Sequence, residues 1–181
     1  FHRIVQSMTV FGPLMNPRTK VLNAFSDIEK AAKLPGPKFV IVHILIPHVP
    51  YVFGENGEYI GINPGQKDTP RDMELYLGQL KFADKKFKTA VETILKASPT
   101  PPVIVIQSDH GVHLPKEWVP DDEVRPKLQL RNFSAFLLPG KDEFPPEPWS
   151  TVNTFRFIFD LYLGIDFGLL ENKHWPSGTS F

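Results

Sequence analysis

Twenty Lys and Arg against twenty Asp and Glu leave this 181-residue chain with a formal net charge of zero, which removes the positive field that nucleic-acid binding relies on. Its length suits one domain, 1–181, with a real core, and a 41% hydrophobic, 22% charged composition is that of an ordinary globular protein. With no cysteine, a disulfide framework, a thiolate zinc site and a cysteine nucleophile are excluded within it.

Residues 1–16 carry both alternating and helical spacings of apolar residues, and Gly12-Pro13 breaks either one. Over 18–34 the spacing of Val21, Leu22, Phe25, Ile28 and Ala32 predicts a helix, ended by Pro35-Gly36-Pro37. Residues 39–46 are too apolar for a half-exposed element. They read as a strand buried on both faces, running into Pro47-His48-Val49-Pro50. Residues 52–68, with four glycines and a proline, read as a long surface loop of the kind that often covers a site. Thr69-Pro70 then gives an N-cap followed by proline at the first helical position. Met73, Tyr76, Leu80, Phe87, Val91 and Ile94 mark the face of a helix over 70–97, stopped by Ser98-Pro99.

A second doubly buried strand, 103–108, leads into Asp109-His110-Gly111, where glycine permits a sharp turn. Residues 112–132 read as a proline-rich, charged loop, and 133–138 as a third strand closed by Pro139-Gly140. After the connector at 145–148, Ser150 is the expected N-cap of a helix over 151–163. Val152, Phe155, Ile158, Phe159 and Tyr162 form its buried face, and Gly164 its stop. Nineteen prolines, about twice the usual share of ~5%, punctuate these loops, and no internal repeat is visible. No apolar run approaches the roughly 18 residues of a membrane span and no signal-peptide pattern is present. The segment itself is therefore expected to make no membrane contact.

Strands alternating with helices predict an α/β fold. Strand, loop plus helix, and strand over 39–108 predict a crossover with parallel strands. Parallel strands bring their carboxyl ends to one edge, where ligands bind in open α/β sheets. His48 and the Asp109-His110 pair are expected to share that edge. A carboxylate and an imidazole there suit zinc or manganese, and the carboxylate alone calcium or magnesium. The plainer reading has Asp109 capping a turn with His110 packed beside it.

His48, between two prolines, can contact a substrate oxygen or simply face solvent. His43 is expected as a hydrogen-bonded core residue, and His113 is a further candidate near Asp109. His174 and Trp175 either line a pocket or pack, and His2 carries no reading of its own. Ser108 lacks a glycine-flanked nucleophile elbow and is discounted. Asp121, Asp122 and Glu123 read as a solvated loop. A working metal site needs three or four protein ligands, and Asp109 and His110 supply two.

The order of motifs resembles a known family. Phe39-Val-Ile-Val-His-Ile-Leu-Ile-Pro-His-Val-Pro-Tyr51 is followed by a helix with Tyr76 and Gln79-Leu80. Then come Val103-Ile-Val-Ile-Gln-Ser-Asp-His-Gly111, Phe133-Ser-Ala-Phe-Leu-Leu-Pro-Gly140 and Ser150-Thr-Val-Asn-Thr-Phe-Arg156. Together they are similar to the C-terminal half of a sulfatase-like domain of the alkaline phosphatase superfamily. They resemble most the bacterial membrane-anchored sulfatase-like proteins, relatives of lipoteichoic acid synthases and phosphoethanolamine transferases.

The resemblance implies a partial alkaline-phosphatase-like sandwich with a mainly parallel sheet, helices on its flanks and the N-terminal half of the domain missing. It implies that Asp109 and His110 are metal ligands, that Gly111 is the turn after them, and that His48 touches the transferred phosphoryl or sulfuryl group. His113 has no counterpart. The nucleophile and the first acidic ligand would lie upstream of Phe1, and Ser7 and Thr9 do not stand in for them. The implied substrate is a phosphate or sulfate ester. The implied location is the extracytoplasmic face of a bacterial membrane, with the anchor outside this segment. A chain that opens at Phe1 without methionine is expected to be processed or excised from something longer, and to be inactive alone.

Two other readings stand beside this one. The chain can be a standalone non-catalytic α/β module for binding or assembly. It can also be an independent metal hydrolase completed by His48, His113 or a second subunit.

Overall fold

The computed structural model describes residues 3–7 (backbone only), 16–65, 69–114, 116–146 and 149–173. His2, Thr9, the Gly12-Pro13 break, His174 and Trp175 lie outside them. The chain divides into two compact units, Phe1–Pro102 and Val103–Phe181. The class is mixed α/β, with four α-helices among the described residues and small two-stranded sheets.

The first unit opens with β1 (Arg3–Ser7), helix α1 (Pro17–Ala32) and β2 (Lys38–Val42). β1 and β2 are parallel in the register Arg3↔Lys38 to Ser7↔Val42. Asn16 caps α1, its Oδ1 accepting from the Arg18 N–H at 2.8 Å. The parallel crossover expected over 39–108 is thus built one step earlier, from β1, α1 and β2.

β2 is shorter than its apolar run and not buried on both faces. Ile44 and Ile46 pack against the core, whereas Phe39, Ile41 and Leu45 on alternate positions stay 43, 51 and 65% exposed. A strand's side chains alternate between faces, and the exposed set falls on one of them. His43, expected in the core, sits on the exposed side.

The expected loop at 52–68 folds as an antiparallel hairpin of β3 (Tyr51–Phe53) and β4 (Tyr59–Asn63). Asn56-Gly57 makes the turn. Gly57 takes φ +85°, and Asn-Gly is the strongest short-range hairpin signal. The register shifts between Tyr51 and Phe53: Val52 alone on β3 faces Ile60, Gly61 and Ile62 on β4, so the extra residues of the irregularity belong to β4.

Helix α2 (Pro70–Ala97) runs about 42 Å and has the boundaries its caps announce. Thr69 accepts from the Asp72 N–H, and Asp72 accepts from the Thr69 N–H, each at 3.2 Å. Its buried residues are Leu75, Gln79, Phe82, Ala83 and Ala90, a stripe rotated from the face expected at Met73, Tyr76, Leu80, Phe87, Val91 and Ile94. The core joins this stripe to Val21 and Phe25 of α1 and to Val52 and Phe53 of β3. Phe53 stacks on Phe82 with centroids 4.4 Å apart, and Phe87 meets Phe25 edge-on at 5.1 Å.

In the second unit β5 (Ile104–Gln107) pairs antiparallel with β6 (Ser134–Leu137), in register Ile104↔Leu137 to Gln107↔Ser134. Its residues are only partly buried. The expected loop at 112–132 contains a short helix, α3 (Val124–Leu130). The acidic cluster starts it. Asp121 Oδ1 accepts from the Glu123 and Val124 N–H groups, and Asp122 pairs with Arg125.

The closing helix begins as a 3-10 turn (Thr151–Asn153) and continues as α4 (Thr154–Leu163). Ser150 makes no side-chain cap bond. Gly164 ends α4 in the left-handed region at φ 64°, as its position implies. The buried positions are Asn153 and Thr154, while Val152 and Phe155 are exposed. Polar pairing decides which face turns inward. Thr154 donates to Gln107 Oε1 at 2.6 Å, and Asn153 exchanges two bonds with the Leu170 backbone. No helix among the described residues is long and apolar enough to cross a membrane.

Candidate functional site

Beyond β2 the chain leaves the ladder, and the Ile46 N–H donates to the Ile44 carbonyl at 2.9 Å. The chain then turns through residues 47–50, where the Ile46-Pro47 and Val49-Pro50 bonds are cis. His48 lies at this turn, exposed. Its Nδ1 is 2.6 Å from the Val49 carbonyl oxygen. A carbonyl only accepts, so Nδ1 carries the proton and Nε2 is the outward nitrogen. Only the imidazolium presents an N–H at both nitrogens, so an anionic oxygen at Nε2 requires His48 to be protonated.

Tyr51 and Tyr76 lie in the same unit. Burial first, then the charges of Asp72 and Tyr76, pushes the Tyr51 phenol upward. Burial and then Asp84 does the same to Tyr76. Both folded values exceed the unfolded value of about 10. The stabilisation is therefore complete below that pH and is lost as pH rises through the folded values. In urea melts followed by helix signal, Tyr76→Phe is expected to lessen the loss of stability above about pH 10. Identical alkaline slopes for wild type and variant would refute this.

In the second unit the chain leaves β5 at Ser108. The Ser108 N–H donates to the Phe133 carbonyl at 2.9 Å, and Ser108 Oγ accepts from the Phe133 N–H at 2.7 Å. The hydroxyl therefore holds the start of β6 and is not placed as a nucleophile. Asn132 Nδ2 donates to the Ser108 carbonyl at 3.3 Å, and the Gly111 N–H donates to the Gln129 carbonyl at the end of α3 at 2.6 Å. Asp109 and His110 thus sit on a loop tied at both sides.

Asp109 Oδ1 accepts from the His110 N–H at 3.0 Å. His110 Nδ1 donates to the Gly111 carbonyl at 2.7 Å, which leaves Nε2 with the lone pair. That nitrogen faces Asp109 Oδ2 across 3.8 Å. A tetrahedral cation with bonds near 2.0 Å holds two ligands about 3.3 Å apart, so a small side-chain adjustment would make the pair a chelate. The side chains are 82% and 45% exposed.

An Nδ1–H fixed on a backbone carbonyl is also the usual arrangement behind a metal-bound imidazole. The donor set fits half a metal site. Among the described residues no group of three or more His, Asp or Glu side chains could hold a metal ion.

The His113 ring lies edge-on to His110 at 5.1 Å, but the Gln129 amide reaches its Nε2 at 3.2 Å. That amide engages one of the two ring nitrogens through which a histidine can hold a metal. His48 belongs to the first unit, Asp109, His110 and His113 to the second. A cleft of about 390 Å³ in the first unit, lined by Gly54, Arg71, Glu74, Gly78 and Lys81, contains none of these residues.

Three supports of these turns have no role assigned from the sequence. Asn132 and the carbonyl end of α3 steady the Asp109 turn, and no local pattern marked either. Gln79 touches the His48 turn, donating from Nε2 to the His48 carbonyl at 3.0 Å, and its place in the apolar stripe of α2 was the available signal. No family model, curated protein or solved structure matches this chain.

Proposed function

We propose that the chain is the C-terminal part of a metal-dependent sulfate- or phosphate-ester hydrolase, or phospho-group transferase, of the sulfatase-like kind. In this reading Asp109 and His110 hold a divalent cation (Zn, Mn, Ca or Mg) and His48 binds a non-bridging oxygen of the ester. The N-terminal half of the same domain supplies the nucleophile and the remaining ligands, and completes an alkaline-phosphatase-like sandwich on the extracytoplasmic face of a membrane. The observation that carries the reading is the Asp109-His110 pair at the end of β5. The Gly111 carbonyl fixes the imidazole so that Nε2 and the carboxylate face a common space.

When bound, the metal stabilises charge on the transferred group and activates the nucleophile. Asp109 contributes negative charge to that centre and His110 a neutral nitrogen. His48 contributes a proton-bearing nitrogen to the ester oxygen.

The test is calorimetric titration of zinc or manganese into the 181-residue chain. Weak binding is expected, at least tenfold weaker in Asp109→Ala, with no turnover of aryl phosphate or aryl sulfate esters. Equal affinity in wild type and variant would remove Asp109 from the site, and robust turnover by this chain would overturn the half-site reading. The second reading, a non-catalytic binding or assembly module, is favoured by the two-ligand inventory among the described residues. It predicts no Asp109-dependent metal binding.

A further inference from the structure

Gln79 is the one polar residue in the buried stripe of α2 and is 2% exposed. A buried amide left unpaired costs about 1–3 kcal/mol, so its partners decide whether it belongs there. Oε1 accepts from the Val52 N–H at 2.9 Å and the Phe53 N–H at 3.3 Å. Nε2 donates to the Pro47 carbonyl at 3.3 Å and the His48 carbonyl at 3.0 Å. Two acceptances and two donations fill the amide's capacity. They also fix its orientation, since a flipped amide would set N–H against N–H and oxygen against oxygen.

The chain around His48 has reason to need such a partner. Pro47 and Pro50 have no N–H, and the β3–β4 ladder is broken at Val52, which faces three residues of β4 and sends its N–H to Gln79 instead. Gln79 binds the backbone before and after the apex Val49-Pro50-Tyr51. The His48 ring is itself held by the Val49 carbonyl inside that apex. The bonds run from a helix in the core, through one amide, to both flanks of the imidazole.

We propose that Gln79 is a positioning residue for His48, setting which ring nitrogen faces outward, and through it a positioning residue for the phosphate or sulfate group. The second clause rests on the ester-transfer reading; the first does not.

Gln79→Glu separates the two halves of the amide. The carboxylate still accepts from Val52 and Phe53 but has no hydrogen to donate to the Pro47 and His48 carbonyls. ¹⁵N NMR of His48, at a pH that keeps the ring neutral, is expected to show one tautomer in wild type with the proton on Nδ1. In Gln79→Glu it should show a mixture, with far-UV CD and the aromatic signals of Phe53 and Phe82 retained. Wild-type tautomer in Gln79→Glu, or in the near-isosteric Gln79→Met, overturns the proposal. It is equally overturned if the wild-type Val52 and Phe53 amides exchange freely with solvent, a measurement that needs no variant.

Inorganic phosphate, added at a pH low enough to protonate the His48 ring, is the second arm. It should shift the wild-type His48 signals, with an apparent affinity at least fivefold weaker in Gln79→Glu. Phosphate that leaves wild-type His48 unmoved overturns the ester reading, while a Gln79-dependent tautomer still upholds the positioning of the ring.

Discussion

Phe53→Ala is expected to destabilise the first unit by about 3–5 kcal/mol, the usual cost of emptying a buried phenylalanine site. Phe53 is fully buried, stacked on Phe82 of α2 at 4.4 Å, with the Arg18 guanidinium 5.8 Å from its ring centre. It ties the hairpin to both helices, so its loss leaves a cavity at their junction that the remaining side chains close only partly. Against a typical total of about 5–15 kcal/mol, this is enough to unfold a marginal unit.

The measurement is urea unfolding followed by far-UV CD, whose signal in this unit comes from α1 and α2. Trp118, Trp149 and Trp175 all fall in the second unit, so tryptophan fluorescence reports that unit instead. Leu77→Ala, at a 44% exposed position on α2, is the control and should cost under about 0.5 kcal/mol. A Phe53→Ala effect as small as the control's would show that the hairpin is not part of the core.

The elements legible in the sequence were those with local signals at their ends. α2 begins and ends where Thr69-Pro70 and Ser98-Pro99 place it, because capping and proline act within a turn or two of the residues that carry them. α1, the start of β2, β5 and β6 followed from apolar spacing and bounding prolines. What failed was burial.

An apolar run states that a strand wants two covered faces, not that the chain in hand supplies them. Phe39, Ile41 and Leu45 show the difference. The buried face of α2 does not follow from its apolar residues alone, because a polar residue, Gln79, sits at its centre. The hairpin was readable from Asn56-Gly57 but was obscured by the flanking glycines Gly54 and Gly61. Pairing partners were the least legible. Whether β5 lies beside a parallel or an antiparallel neighbour depends on contacts made by residues far along the chain, such as Ser108 with Phe133, 25 positions away. For the candidate site, the residue types of Asp109 and His110 are plain in the sequence, but the tautomer that leaves His110 Nε2 with a lone pair depends on where the Gly111 carbonyl points.

Gly111→Ala should cost about 2–5 kcal/mol and displace the Asp109-His110 turn, although Gly111 has no positive φ to demand glycine. The cause is steric. A Cβ there would strike the Leu128 and Arg131 carbonyl oxygens at the end of α3, closer than any real Cβ contact, with the Arg131 carbonyl carbon next at 3.1 Å. Those atoms are backbone and cannot rotate away, so either α3 moves or the turn does. Overpacking of this kind costs about 1–3 kcal/mol. Breaking the 2.6 Å bond from the Gly111 N–H to the Gln129 carbonyl adds about 1–2 kcal/mol.

Gly140→Ala is the instructive comparison. Gly140 has φ +70° and nothing within 4 Å of a Cβ, so its penalty is conformational alone, about 1–2 kcal/mol, and should leave His110 untouched. Thermal unfolding followed by tryptophan fluorescence measures both costs, and ¹⁵N NMR of His110 separates their consequences. Gly111→Ala is expected to disturb the Nδ1–H bond to the carbonyl of residue 111, and Gly140→Ala to preserve it. If alanine at 111 leaves stability and the His110 tautomer unchanged, the close approach of this turn to α3 is wrong, and the preset orientation of His110 goes with it.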